Sequence, residues 1–124
     1  MRLSRSIPVM LLALAGCSDD TRRMTVTATA YTSSVGETDA TPDLAAWGDR
    51  LKPGMKAIAV SRDLIEQGLE HGTEVHIEGL DGAYVVRDKM NRRWTRKIDI
   101  YMGRDRASAR AWGVREVEIR WRDD

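Results

Sequence analysis

Three stretches of this chain alternate polar and apolar residues with the period of two that marks a half-buried β-strand. Thr25–Tyr31 alternates threonine with valine or alanine, Lys97–Met102 places Ile98, Ile100 and Met102 on one face, and Arg115–Trp121 places Val117, Ile119 and Trp121 on one face. Lys56–Val60 is a short continuous apolar run, the pattern of a strand covered on both sides. Thr73–Glu78 and Ala83–Asp88 read as two further strands joined by a tight turn at Gly79–Gly82. Two short helices fit between strands. Ser61 is placed to cap one over Arg62–Gln67, with Gly68 closing it, and Asp105 is placed to cap another that runs to Trp112 and stops at Gly113. Short strands at this spacing, without a long amphipathic helix to cover an open sheet, predict an all-β fold with two short helices, closed into a small six-stranded barrel.

Two features interrupt the pattern. The segment from Thr32 to Pro53 is polar, with Gly36, Pro42, Gly48 and Pro53 as punctuation, and reads as one long loop of the kind that more often carries function. Trp47 within it either plugs one end of the core or lines a binding surface. Asp88 and Asp99 lie in strands, where aspartate is depleted. Alternation keeps Asp99, with Lys97 and Tyr101, off the face of Ile98 and Ile100, so its carboxyl looks into water or into a cleft.

The remaining composition limits the choices. With 124 residues there is room for one small domain, and a formal net charge of +1 gives no reason to expect nucleic acid as a partner. The N-terminus reads as an export signal: Arg2 and Arg5 precede a short apolar run, Ile7–Leu14, that is too short to span a bilayer. Its end, Leu14-Ala15-Gly16-Cys17, resembles a bacterial lipobox, which implies a signal peptide over residues 1–16 and lipidation of Cys17. Because Cys17 is the single cysteine, no disulfide within the chain competes for it. Cleavage takes the 20 basic side chains down to 18, against 19 acidic ones. The mature chain is then a tether over residues 17–23 and a domain over residues 24–122. It is expected to be exported and anchored to the membrane through its lipid, on the periplasmic face of the outer membrane in a host with two membranes.

His71 and His76 lie on different elements and form no ligand-spaced cluster, so neither a metal nor any other cofactor is expected. Carboxylate chemistry is what remains. A general acid for glycoside cleavage needs a carboxyl kept protonated by burial or by a like charge. The cations Arg92, Arg93, Arg96 and Lys97 argue instead for a salt-bridged strand aspartate, and residue types alone leave both readings open. The loop Asn91-Arg92-Arg93-Trp94 suits a sugar, with an indole face for the ring and polar groups for its hydroxyls. It equally suits a solvated loop whose tryptophan tucks against the barrel.

Several of these pieces together resemble the 3D, or three-aspartate, domain found in membrane-bound lytic transglycosylase A and in small cell-wall proteins. They are Val26–Tyr31, Ile58-Ala59-Val60, Gly72-Thr73-Glu74-Val75, Gly82–Asp88, Lys97-Ile98-Asp99-Ile100-Tyr101 and Ala111-Trp112-Gly113. The resemblance implies a six-stranded double-psi β-barrel of the type seen in expansins. It implies a monomer acting on peptidoglycan glycan strands, with lytic transglycosylase-like cleavage in which Asp99 is the general acid and Asp88 positions or stabilises. Tyr31, Trp47, Asn91, Arg92, Trp94 and Tyr101 become candidate substrate-binding residues. The other reading is a non-catalytic glycan-binding or structural lipoprotein of the envelope. Two positions depart from the family pattern. Its first aspartate is Ser61 here, with Asp63 two residues on, and its usual Asp-Thr-Gly-Gly is Asp88-Lys89-Met90-Asn91.

Overall fold

The computed structural model describes residues 21–33 and 45–122. The elements follow in the order β1 (Thr21–Tyr31), β2 (Ala57–Val60), α1 (Arg62–Ile65), β3 (Glu74–Ile77), β4 (Ala83–Lys89), β5 (Lys97–Tyr101), α2 (Arg106–Trp112) and β6 (Arg115–Arg122). The six strands close into a barrel in the order β1-β5-β2-β4-β3-β6. Two pairs are parallel, β1 with β5 and β2 with β4, and the others are antiparallel. This is the all-β architecture expected, consistent with a double-psi β-barrel. β1 begins at Thr21, so the strand takes in three residues that read as tether.

The inward face of each alternating strand makes the core. Val26, Ala28, Ile58, Val60, Val75, Val86, Ile98, Ile100 and Ile119 are almost completely shielded, and Trp112 and Trp121 pack with them. Each fully buried isoleucine or valine contributes roughly 1.5–3 kcal/mol relative to an exposed one. β2 is buried at every position, as its unbroken apolar run requires.

Two local expectations are corrected, the extent of the first helix and its cap. The first helix is a single turn, Arg62–Ile65, and Ser61 makes no side-chain cap on it. The Ser61 hydroxyl instead accepts the Lys97 N–H at 3.0 Å, tying the start of β5 to the end of β2. The cap predicted for the second helix is present, with Asp105 Oδ1 accepting the Ser108 N–H at 2.9 Å. Finally, the outer face of β5 is not uniformly wet. Tyr101 packs into a second small core with Ala45, Leu51 and Ala57, with Tyr31 and Met55 against it. The stretch from 45 to 55 therefore lies over the outer face of β5 and β2. It can approach this closely because residue 103 is glycine: at φ +62° a Cβ there would stand 3.1 Å from the Pro53 Cα.

Candidate functional site

The strand registers line up a row of side chains on the outer face of the barrel. Thr29 on β1 faces Asp99 on β5, Asp99 faces Ala59 on β2, and Ala59 faces Asp88 on β4. Partners across a ladder share a face, so the two aspartates stand on either side of a small alanine. The register shifts between Ile58, which faces Val86, and Ala59, which faces Asp88. One residue of β4, Arg87, is extra. Strict alternation from the buried Val86 would have turned Asp88 toward the core, and the bulge brings it out beside Asp99.

The two carboxylates are held differently. Asp99 is largely buried and accepts a single side-chain hydrogen bond, from Thr29 Oγ1 at 3.0 Å. Burial pushes its pKa up to about 6, with Asp88 adding to the rise, while the Thr29 hydroxyl and the Lys97 ammonium oppose it. Asp88 Oδ1 accepts two backbone N–H groups, from Ala46 at 2.6 Å and Lys89 at 2.9 Å. Burial also raises its pKa, and Asp49 adds to this, but the two N–H donors pull the other way. Tyr31 belongs to the same electrostatic field. Burial, then Asp88, Asp99 and Tyr101, hold its phenol protonated, and among the described residues its buried hydroxyl has no hydrogen-bond partner.

Each aspartate has a lysine and a tryptophan beyond it. Lys97 lies with its ammonium 3.6 Å from the Trp94 ring centroid, and the Arg93 guanidinium lies 4.8 Å from it. Lys89 lies 5.4 Å from the Trp47 ring, which packs on the core and against His71 at 5.0 Å between centroids. Trp47 thus packs against the core and lies beside the lysine that follows Asp88. Trp94 is 36% exposed and is one of two large apolar side chains left open among the described residues.

The loop carrying Trp94 is fastened at its base. Asn91 Oδ1 accepts the Arg93 N–H at 2.9 Å, and both Asp63 carboxylate oxygens lie within 3.2 Å of the Arg96 N–H. Arg96 adopts φ +50°, unusual for a residue with a side chain, and its Nε donates to the Thr25 carbonyl at 2.9 Å. Ser61 and Asp63, where the sequence departs from the 3D pattern it resembles, both anchor this loop.

The structure gathers Asp99, Asp88 and Tyr31 and ranges Trp94 and Trp47 at the two ends. Asn91 and Arg92 are exposed on the turn. Tyr101, at 3% exposure, offers no open face: its hydroxyl pairs with Ser33 Oγ at 2.9 Å and its ring supports Tyr31, with centroids 5.5 Å apart. Cys17 lies outside the described residues. Sequence reasoning missed Thr29, Ala59 and Ala46. Thr29 could have been found, since alternation puts it on the face of Thr27 and Tyr31; Ala46 could not, because its role depends on how the long loop folds back.

No family model matches the chain, and no curated protein shows significant similarity to it. Its barrel is similar to that of an apo expansin from Clavibacter michiganensis, at 17% identity and a TM-score of 0.51, over 79% of this chain and 49% of the expansin. A mutant of the same expansin, solved in complex with cellohexaose, matches at 17% identity, a TM-score of 0.49 and the same coverage. The chain therefore spans about half the length of that expansin, and what the likeness establishes is a related barrel fold.

The expectation of a glycan-cleaving enzyme is corrected here. It rested on likeness to a lytic transglycosylase, whereas a solved structure that shares this barrel is that of an expansin. Asp88, the carboxylate placed to assist Asp99, spends one oxygen on two backbone N–H groups and clamps the segment around Ala46.

Proposed function

We propose that this chain is a non-catalytic, glycan-binding lipoprotein of the cell envelope, a 3D-type barrel that holds peptidoglycan glycan strands without cutting them. The observation that carries the reading is the outer-face row Thr29–Asp99–Ala59–Asp88 with an indole at either end. Partly buried carboxylates accept hydrogen bonds from sugar hydroxyls. Trp94 supplies an apolar face. A sugar that stacks there displaces Lys97 from the ring, at a cost of roughly 0.5–1 kcal/mol, and frees its ammonium to move toward Asp99. Lipidation at Cys17 would keep the barrel at the membrane, on the periplasmic face of an outer membrane where there is one.

Pull-down on purified sacculi tests the reading. The full chain should be retained, Trp94→Ala should lose most retention, and Asp99→Asn should keep most of it, because an amide oxygen still accepts from a hydroxyl. Sacculi incubated with the chain should release no soluble fragments. Failure to bind sacculi or chitin oligosaccharides, or retention that ignores Trp94→Ala, would overturn the proposal. For the anchor, labelled palmitate should enter the wild-type chain and not Cys17→Ser; equal labelling of both refutes it.

A further inference from the structure

A concavity shares no lining residue with the aspartate row. It has a volume of about 730 Å³ and lies between the segment from Gly68 to His76 and the outer face of β6. That volume falls within the roughly 300–1,000 Å³ typical of ligand sites. Arg120 and Arg122, both exposed, alternate with the buried Trp121 on β6 and so share the outer face, about 7 Å apart along the strand. His76 faces Arg120 directly, and Val75 faces Trp121, which sets Glu74 beside Arg122. Glu70 also lines it, and Gly72, at φ +93°, has open space where a Cβ would stand.

Two observations mark this groove as more than a solvated charged face. Among the described residues no ion pair engages Arg120, Arg122, Glu70 or Glu74, although cations and carboxylates line the same concavity. Trp121, at 2% exposure, borders the groove from the buried side of β6, and among the described residues its Nε1–H has no acceptor. A buried donor without a partner costs about 1–3 kcal/mol.

We infer that this groove is a binding site for a short peptide segment carrying both a free carboxylate and a free ammonium. Two guanidiniums on one face take a carboxylate with charge-assisted, bidentate hydrogen bonds. A ligand that is only anionic meets Glu70 and Glu74, and one that is only cationic meets Arg120 and Arg122, so both are disfavoured. A zwitterionic peptide satisfies both sets, and its backbone carbonyls bring acceptors to the neighbourhood of Trp121. The site shares no residue with the aspartate row and stands without the glycan reading. His71 on its wall is hydrogen-bonded to Asp49 at 2.8 Å, in the same segment whose Ala46 holds Asp88.

Nuclear magnetic resonance on the isotopically labelled full chain tests the site, with tetra-alanine as the probe. The free peptide should shift the Trp121 indole N–H and the amides of Gly72 and Arg122. The same peptide acetylated and amidated at its ends should bind at least about tenfold more weakly, as should the free peptide to the double variant Arg120→Gln, Arg122→Gln. These arginines are exposed, so the fold should survive, and chitin oligosaccharide binding by that variant should be unchanged. Equal binding of the free and blocked peptides, an unmoved Trp121 indole signal, or undiminished binding by the double variant would each overturn the inference.

Discussion

The two aspartates of the outer face sit on either side of Ala59, yet the protein treats them in opposite ways. Asp99 is held by one threonine hydroxyl and buried enough that its pKa is pushed up to about 6. Asp88 is gripped by two backbone N–H groups and fastens a loop to the barrel. The difference teaches that likeness of position is not likeness of role. Asp88 contributes to structure, whereas Asp99 is a cost the fold carries at neutral pH, and such unpaid charge is what a binding site offers to a ligand with hydroxyl donors.

The largest effect expected from breaking this contrast is at Asp99. Its folded value lies above the ordinary 3.8, so the folded state binds the proton more tightly than the unfolded one. Stability from this group is therefore greatest below about pH 4 and falls as pH rises through about 6. Asp99→Asn should raise stability at pH 7 by up to about 3 kcal/mol and leave it unchanged below about pH 4. Denaturant unfolding at the two pH values measures this; an equal effect at both would show that burial of the charge is not the cause.

Asp88→Ala should move stability the other way, by about 1–3 kcal/mol, since the Ala46 and Lys89 N–H groups lose their acceptor. Hydrogen exchange at Ala46 should quicken in that variant. Asp88→Asn, which keeps an acceptor oxygen, should be close to wild type. A smaller effect belongs to Thr29→Val, which removes the one donor that steadies the ionised Asp99. It should cost about 1–2 kcal/mol at pH 7 and move the Asp99 titration, followed by its carboxyl carbon resonance, to higher pH. Smallest is Trp94→Ala, within about 0.5 kcal/mol of wild type in unfolding. Set beside the large loss of sacculus retention expected of it, that small change would separate a binding role from a packing one.

Much of the barrel was legible in the chain. The alternation in Thr25–Tyr31 and Arg115–Trp121 identifies strands because a period of two has no other regular backbone to fit, and the run at Ala57–Val60 reads as covered on both sides because it has no polar face to expose. Asp105 was legible as a cap because capping is a local event within one turn. Ser61 was misread for the complementary reason: its hydroxyl had a remote alternative, the Lys97 N–H, that local sequence cannot reveal.

What alternation supplied for the site was the side of the strand, and no more. It kept Asp99 off the core of Ile98 and Ile100, but the depth of its burial came from the neighbouring strands and the loop laid across them. The same loop buried Tyr101, on the face that read as open. Asp88 is the sharper case, since the extra residue at Arg87 reversed the side that counting from Val86 assigns to it. A sequence specifies strands and faces by itself, because those follow from backbone geometry and the apolarity of neighbouring residues. Which strand lies beside which, where a bulge slips the register and what covers an outer face depend on contacts between residues far apart in the chain, and only the closed barrel decides them.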